Sequence, residues 1–383
     1  MVGSGSAGAV VAARLSEVKE WKVLLLEAGG PPPLETYIPA TLLFSFFPSN
    51  SVDWGYNSSP QKHGLINLNN QEARLTQGRI IGGTSSINGV QYVRGSPQDY
   101  DNWAALGNGG WDYKSLLKYF IKLEDFRAPL HQERRFFHGT GGPIIITPEI
   151  PGNMTKTFLK AGQEMGYQII DDYNGRQQLG FGEMFSNRGN GIRSSTATGY
   201  LKPASKRTNL QILHSATVSK IIFNENKRAV AVQFEHRFKT KVVRARREII
   251  LSAGVIGSPK LLMLSGVGPA DHLRQHKIKV VADIPGVGQN LHDHMNVYGL
   301  TWTVGKGDVP NILDALSPAS IAQYATSRTG LLTKVPGENP SAWVKVRPGG
   351  DPLWPDTQVF FNSITPGTFH GIFYPSLFNL NRR

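Results

Sequence analysis

Three glycines near the start, Gly3, Gly5 and Gly8, stand in a G-x-G-x-x-G spacing, and an acid, Glu27, follows the last of them by 19 residues. Backbone without Cβ atoms can turn tightly and come close to a pyrophosphate. A helix opening there adds N–H groups and the positive end of its dipole. An acid about 20 residues further on, at a strand end, accepts hydrogen bonds from ribose hydroxyls, and an acid in place of arginine suits an unphosphorylated ribose. With 42 glycines in 383 residues, about 0.5 such spacings arise by chance, so the flanking residues carry the weight.

Those flanks read as a β-α-β unit. Ala9, Val10, Val11, Ala12, Ala13 and Leu15 suit a helix. Val23–Leu26 is an apolar run suited to a strand covered on both faces. The strand that feeds the glycine turn is reduced to Met1 and Val2, so the chain is expected to begin inside the fold. That strand belongs in the middle of the sheet, beside the one ending at Glu27. Its shortening is expected to leave an unpaired ladder and an apolar cleft.

A second glycine-rich block runs Gly78-Arg79-Ile80-Ile81-Gly82-Gly83-Thr84-Ser85-Ser86-Ile87-Asn88-Gly89. Ser85, Ser86 and Asn88 in it suit turns in which short polar side chains bond the backbone. His292-Asp293-His294 could contribute metal ligands, but no third ligand has the spacing, and structural hydrogen bonding is the expected role. No metal site is expected. There is no cysteine, which excludes disulfides, iron–sulfur clusters and thiolate chemistry. No G-x-S-x-G occurs, so a hydrolase nucleophile elbow is excluded.

The net charge is +13, and Arg237, Lys239, Lys241, Arg244, Arg246 and Arg247 form the densest basic stretch. Its alternation with Val242, Val243, Ala245 and Ile249 reads as a hairpin with a wet face. No aromatic stacking pattern accompanies it, so no nucleic-acid partner is expected. No apolar run approaches a membrane span; Leu42–Phe47 is the longest cluster. Sequons at Asn57 and Asn153 hint at secretion of a parent protein, but the compartment stays open.

Further helices are expected from Asp112, a cap for Leu116, Leu117, Phe120 and Leu123, and over Thr155–Met165 before Gly166. Strands are expected at Pro143–Thr147, Leu210–His214, Val218–Phe223, Ala229–Phe234 and Lys241–Leu251. A helix capped by Ser258, with Pro259 at its first position and Gly266 as its stop, follows, and another short one spans 269–276. From 297 onward no clear unit is expected.

The second glycine block, continuing through Tyr92, Gly95 and Asp101, resembles the first signature of the glucose–methanol–choline (GMC) oxidoreductases, FAD-dependent alcohol oxidases and dehydrogenases. Ser252-Ala253-Gly254-Val255-Ile256-Gly257-Ser258-Pro259 through Pro269 resembles the second, with Val255 in place of a small residue. Gly286–His294 and the opening Gly3–Gly30 also match family segments. The resemblance covers roughly 1–300 well and the rest loosely, and the wording around Tyr92–Trp111 is most similar to insect glucose dehydrogenases.

The resemblance implies a mixed α/β chain. A discontinuous, Rossmann-like FAD-binding domain (1–45, 72–145 and 208–296) would accompany an incomplete antiparallel-sheet substrate domain (46–71, 146–207 and 297–383). It implies FAD with its pyrophosphate at Gly3, Gly5, Ser6, Ala7 and Gly8 and its adenosine ribose at Glu27. Arg79, Gly83, Thr84, Asn88 and Gly89 would line the flavin side. Val218 would meet adenine through its backbone, and Ala253 and Gly254 would end a strand beside the dinucleotide. The implied reaction is hydride transfer from an alcohol or sugar to flavin N5, with a quinone or oxygen as acceptor. Sugars, sterols, choline-like amines and plain alcohols all stay open. A catalytic histidine is implied near the family's C-terminus. No segment here matches it, His370 included, so no catalytic residue is assigned. The alternatives are a truncated, inactive chain that at most binds FAD or a protein partner, and an NAD-dependent dehydrogenase, against which the second glycine block argues.

Overall fold

A computed structural model describes residues 1–41, 51–130, 133–296, 312–334 and 340–361. The Leu42–Phe47 cluster and His370 lie outside the described residues. The chain divides into two compact units, Met1–Pro33, Ser45–Ile87 and Ser195–Leu300 in the first, and Leu34–Phe44, Asn88–Ser194 and Thr301–Arg383 in the second. Strands and helices alternate in a mixed α/β arrangement.

In the first unit the short N-terminal segment sits in the middle of a parallel ladder. The Val2 amide donates to Ile250 (2.9 Å), the Gly3 amide to Leu26 (2.9 Å) and the Ser252 amide to Val2 (2.8 Å). Val23–Leu26 pairs in parallel with Leu210–Leu213 on its other side. Val2, Leu26, Ala216, Ile221, Val232, Phe234 and Leu261 form the core beneath. The helix after the glycine turn spans Ser6–Leu15 and buries Gly8, Ala9, Ala12 and Ala13. Small side chains on one face let it lie close to the sheet.

Three expectations are corrected here. The strand expected over Lys241–Leu251 is two pieces. Lys239–Arg244 closes an antiparallel hairpin with Ala229–His236, and the chain then leaves to pair Leu251 with Val2. The run Arg246-Arg247-Glu248, three charged residues in succession, breaks the period of two at this place and is the signal of the interruption. The helix expected from Ser258 begins at Gly254 and contains Pro259 in its second turn. Ser258 still serves the helix start, its hydroxyl accepting from the Ala253 amide at 3.1 Å. Beyond 297, where no unit was expected, Ser317 caps a helix over Pro318–Ser327, and Ser341–Val344 pairs with both Thr357–Phe360 and Gly180–Gly182. Ser-Pro is a cap-plus-first-turn signal.

The second unit contains a buried ionic cluster. Glu124 accepts from Tyr92 Oη and from Arg94 Nη2 and Nε, and faces His138 Nδ1 at 2.8 Å. His138 Nε2 faces Asp172 at 2.8 Å. Carboxylates at both ring nitrogens require the imidazolium form. Burial works against that charge, but Asp172 and Glu124 outweigh it and hold the His138 pKa above its ordinary value. Burial likewise opposes ionisation of Glu124 and Asp172, and His138 with its cationic neighbours outweighs it and lowers both. The helix over Tyr113–Leu123 that leads into Glu124 is capped by Asp112, which accepts from the Ser115 amide at 2.9 Å. Asn153–Glu164 forms the other expected helix, with Gly166 left-handed just past its end. Among the described residues no helix is long and apolar enough to cross a membrane.

Candidate functional site

The first unit carries a groove of about 800 Å³, within the size range of cofactor sites. Its floor and walls are glycine-bearing turns. Gly3, Gly5, Ser6 and Ala7 line it at the start of the first helix, and Ser6 and Ala7 are exposed there. Gly5 caps that helix without any side-chain hydrogen bond, so its first amides are offered to the groove rather than to a protein acceptor. Gly8 lies buried under the turn, because a Cβ on it would stand 2.0 Å from the Gly3 carbonyl oxygen.

Glu27 lines the groove at the end of Val23–Leu26. Its Oε2 accepts from the Ser4 amide (2.8 Å) and hydroxyl (2.7 Å), and its Oε1 from the Gly29 amide at 2.8 Å. These bonds fix the carboxylate. Each oxygen retains further acceptor capacity.

Gly83 and Thr84 line the groove from a short turn over Gly83–Ser86. Gly83 has φ +54°, and a Cβ there would meet the Gly5 Cα at 2.6 Å. The two glycine blocks are thus packed backbone against backbone, which only glycine permits at that approach. Ser85 donates to the Gly82 carbonyl and Ser86 to that of Ile81, so both serve the turn itself. Val218, Ala253 and Gly254 line the same groove.

Three expected residues are not among those that line this groove. Arg79 is not a lining residue; its guanidinium stacks over Trp54 at 5.0 Å. Asn88 and Gly89 belong to the second unit. There the Asn88 carbonyl and Oδ1 each accept from Arg193 Nη1 at 2.7 Å, and Oδ1 also accepts from the Val90 amide at 3.2 Å. Burial pushes the Arg193 pKa down to about 10. His292 and His294 are exposed; His292 bonds the Asn290 carbonyl, and Asp293 accepts from the His294 amide.

Sequence reasoning missed Trp54, Tyr56 and Lys260, which also line the groove. Trp54 and Tyr56 stack with ring centres 5.8 Å apart, and Lys260 lies over Tyr56 at 5.7 Å. The available signal was the i, i+2 aromatic spacing, with Trp54 just before and Tyr56 at the start of a short strand, Tyr56–Asn57, paired with Arg74–Leu75.

Known proteins with this arrangement agree among themselves. The GMC oxidoreductase profile matches residues 1–296. The chain is 38% identical over 365 residues to a glucose dehydrogenase [FAD, quinone] of Drosophila melanogaster, covering 94% of this chain and 57% of that protein. It is 43% identical over 303 residues to an oxygen-dependent choline dehydrogenase of Brucella anthropi, covering 78% and 53%. Among solved structures, an FAD-dependent oxidoreductase from Chaetomium thermophilum matches with a TM-score of 0.74 and 31% identity over 90% of this chain and 61% of that one. A formate oxidase from Aspergillus oryzae RIB40 matches with a TM-score of 0.76 and 28% identity over the same shares. The chain spans about half the length of the curated relatives it matches. On the strength of the profile and these relatives, the chain belongs to the GMC oxidoreductase family.

Proposed function

We propose that the groove of the first unit holds FAD, and that the protein oxidises the CH–OH group of an alcohol or sugar. The observation that carries this reading is the contact of two glycine blocks from distant parts of the chain, Gly5 against Gly83, at the mouth of a helix with uncapped amides. Such a cradle excludes side chains where a pyrophosphate needs backbone donors. The residues present therefore fit the group.

Ser6 and Ala7 would offer amides to the phosphate oxygens. Glu27, already oriented by Ser4 and Gly29, would accept from the ribose hydroxyls. Val218 would meet the adenine through its backbone, with Ala253 and Gly254 beside the dinucleotide. Gly83 and Thr84 would stand toward the flavin, and Arg79, Asn88 and Gly89 are proposed as further cofactor residues on family resemblance. When bound, the flavin supplies the hydride acceptor. The names of the relatives point to quinone in one case and oxygen in another, and to glucose and choline as donors, so alcohol or sugar is the substrate class proposed.

The test is titration of the purified chain with FAD, NAD and AMP, followed by flavin absorbance and calorimetry. FAD and AMP should bind and NAD should bind at least tenfold more weakly, roughly 1.4 kcal/mol. A chain that binds neither FAD nor AMP overturns the reading. FAD binding without alcohol-dependent bleaching of the flavin assigns this stretch the cofactor-holding role alone.

A further inference from the structure

Residues 236–247 read His-Arg-Phe-Lys-Thr-Lys-Val-Val-Arg-Ala-Arg-Arg, with six cationic side chains and no acid. Residues 236–244 form the tip and outer strand of the hairpin Ala229–His236 and Lys239–Arg244, and Arg246 and Arg247 follow just after the strand ends. That outer strand is a sheet edge, and every residue in it is exposed except Val243, which is half-buried. The tip is Arg237-Phe238, with φ of +52° and +60°. Phe238 is wholly exposed.

A two-residue hairpin turn of this hand favours Asn-Gly or Gly-Gly, because L side chains are strained at positive φ. Phenylalanine there is strained and buries nothing. Turn chemistry does not explain it, nor does core packing. Lysines on an edge strand guard against pairing with another sheet, which accounts for Lys239 and Lys241. A bare aromatic at the tip works against that guard. Among the described residues none of the six cations is in an ion pair. Arg247 instead lies over Trp21 at 5.5 Å.

We propose that this hairpin is a peripheral docking element for an anionic lipid surface. Phe238 enters the boundary between headgroups and acyl chains, and the cations lie against the headgroup charge. Docking edge-on uses both faces of the outer strand, Lys239 and Lys241 on one and Arg244 with the exposed Val242 on the other. Each basic side chain near such a surface raises affinity roughly fivefold. One apolar insertion plus a polybasic patch is the pairing of signals that reversible membrane binding requires. A nucleic-acid duplex would take the cations but offers a protruding aromatic nothing apolar to enter, and no series of stacking aromatics accompanies Phe238.

The experiment is co-sedimentation of the chain with phosphatidylcholine vesicles, alone or mixed roughly three to one with phosphatidylserine. Two variants are compared, Phe238→Gly and the pair Lys239→Glu with Lys241→Glu. Wild type should partition at least about tenfold more onto the serine-containing vesicles, and high salt should remove the difference. Phe238→Gly should lose roughly tenfold of that partition while melting at the same or a higher temperature, since glycine relieves the strained tip. That pairing separates lost docking from lost folding. The double charge reversal should abolish binding at physiological salt. Equal binding to both vesicles, or no binding, overturns the proposal. So does a Phe238→Gly chain that binds like wild type. Duplex DNA bound as tightly as the vesicles, indifferent to Phe238, would make the patch a polyanion face instead and also overturn it. Charge-reversed protein that aggregates while keeping its vesicle binding would leave only the edge guard.

Discussion

The groove of the first unit and the ionic cluster of the second solve opposite problems. The groove is assembled from backbone. Its approach of Gly5 to Gly83 depends on the Cβ that Gly83 lacks, and its one lining acid, Glu27, is oriented by the neighbouring Ser4 and Gly29. The cluster is assembled from long charged side chains, Arg94, Glu124, His138 and Asp172, that are nearly or fully buried and turned on one another. The groove, proposed above to hold an anionic ligand, leaves donors unsatisfied at a helix start. A site meant for stability leaves none of its charges over. The contrast teaches that charge density alone is a poor guide to a candidate ligand site: this heavily ionised interior is self-satisfied, and the groove is nearly neutral.

The sharpest way to break that contrast is to remove one member of the cluster. Glu124→Ala strands Arg94 and His138 without their shared carboxylate, and truncating one partner of a buried ion pair costs about 3–5 kcal/mol. Denaturant unfolding should show that loss, or insoluble protein. The companion Glu124→Gln keeps the shape and one acceptor, and should fall between the two. If Glu124→Ala is as stable as wild type, the cluster is not what holds the second unit.

Next in size is Gly83→Ala. The added methyl would stand 2.6 Å from the Gly5 Cα, on a backbone at φ +54°. Backbone must move, and a methyl at a positive φ adds about 1–2 kcal/mol. FAD affinity should fall about a hundredfold or more, roughly 2.8 kcal/mol by the tenfold-per-1.4 relation, because the turns can no longer close on a pyrophosphate. Gly64→Ala, whose Cβ would meet nothing within 4 Å, is the control and should bind FAD as wild type does. Calorimetric titration of both variants reads the difference.

How much of this was legible in the residues follows from distance along the chain. The glycine turn, its helix and Val23–Leu26 are contiguous, so spacing and apolar runs specified them. Family resemblance at Gly78–Gly89 and Ser252–Pro269 located the other walls of the groove, which local pattern alone does not connect. Asn88 and Gly89 mark where that reasoning was least local, since they fall in the second unit and Asn88 serves Arg193. The ionic cluster was not legible at all. Its members are spread from Tyr92 to Asp172, and nothing in the period of a strand or helix marks partners that stand about thirty residues apart, as Arg94 and Glu124 or His138 and Asp172 do. Lys241–Leu251 failed for a different reason. Its two β-rich pieces read as one strand, although the charged run Arg246-Arg247-Glu248 between them departs from a period of two and marks where the chain leaves the hairpin.

The gentlest probe of the comparison is pH, because the cluster titrates and the glycine cradle does not. His138 is the group to follow. Its pKa in the fold is raised, because Asp172 and Glu124 outweigh the cost of burying its charge. A group raised on folding contributes stability in full below its unfolded value, near 6.5, and loses it as pH rises through the folded value. The carboxylates run the other way. Glu124 and Asp172 are lowered on folding, so their contribution is present above the unfolded carboxylate range, near 4, and is lost as pH falls through their folded values. The second unit should therefore be most stable between those limits and weaken on both sides. His138→Gln removes the alkaline arm, because a neutral amide has no proton to release there. Chemical denaturation followed across pH, with a probe confined to the second unit such as Trp343, stacked on Tyr173 at 4.4 Å, reads this directly. A His138→Gln chain that keeps the same alkaline slope would show that another group carries it, and the cluster would then be a packed arrangement of charges rather than a titrating one.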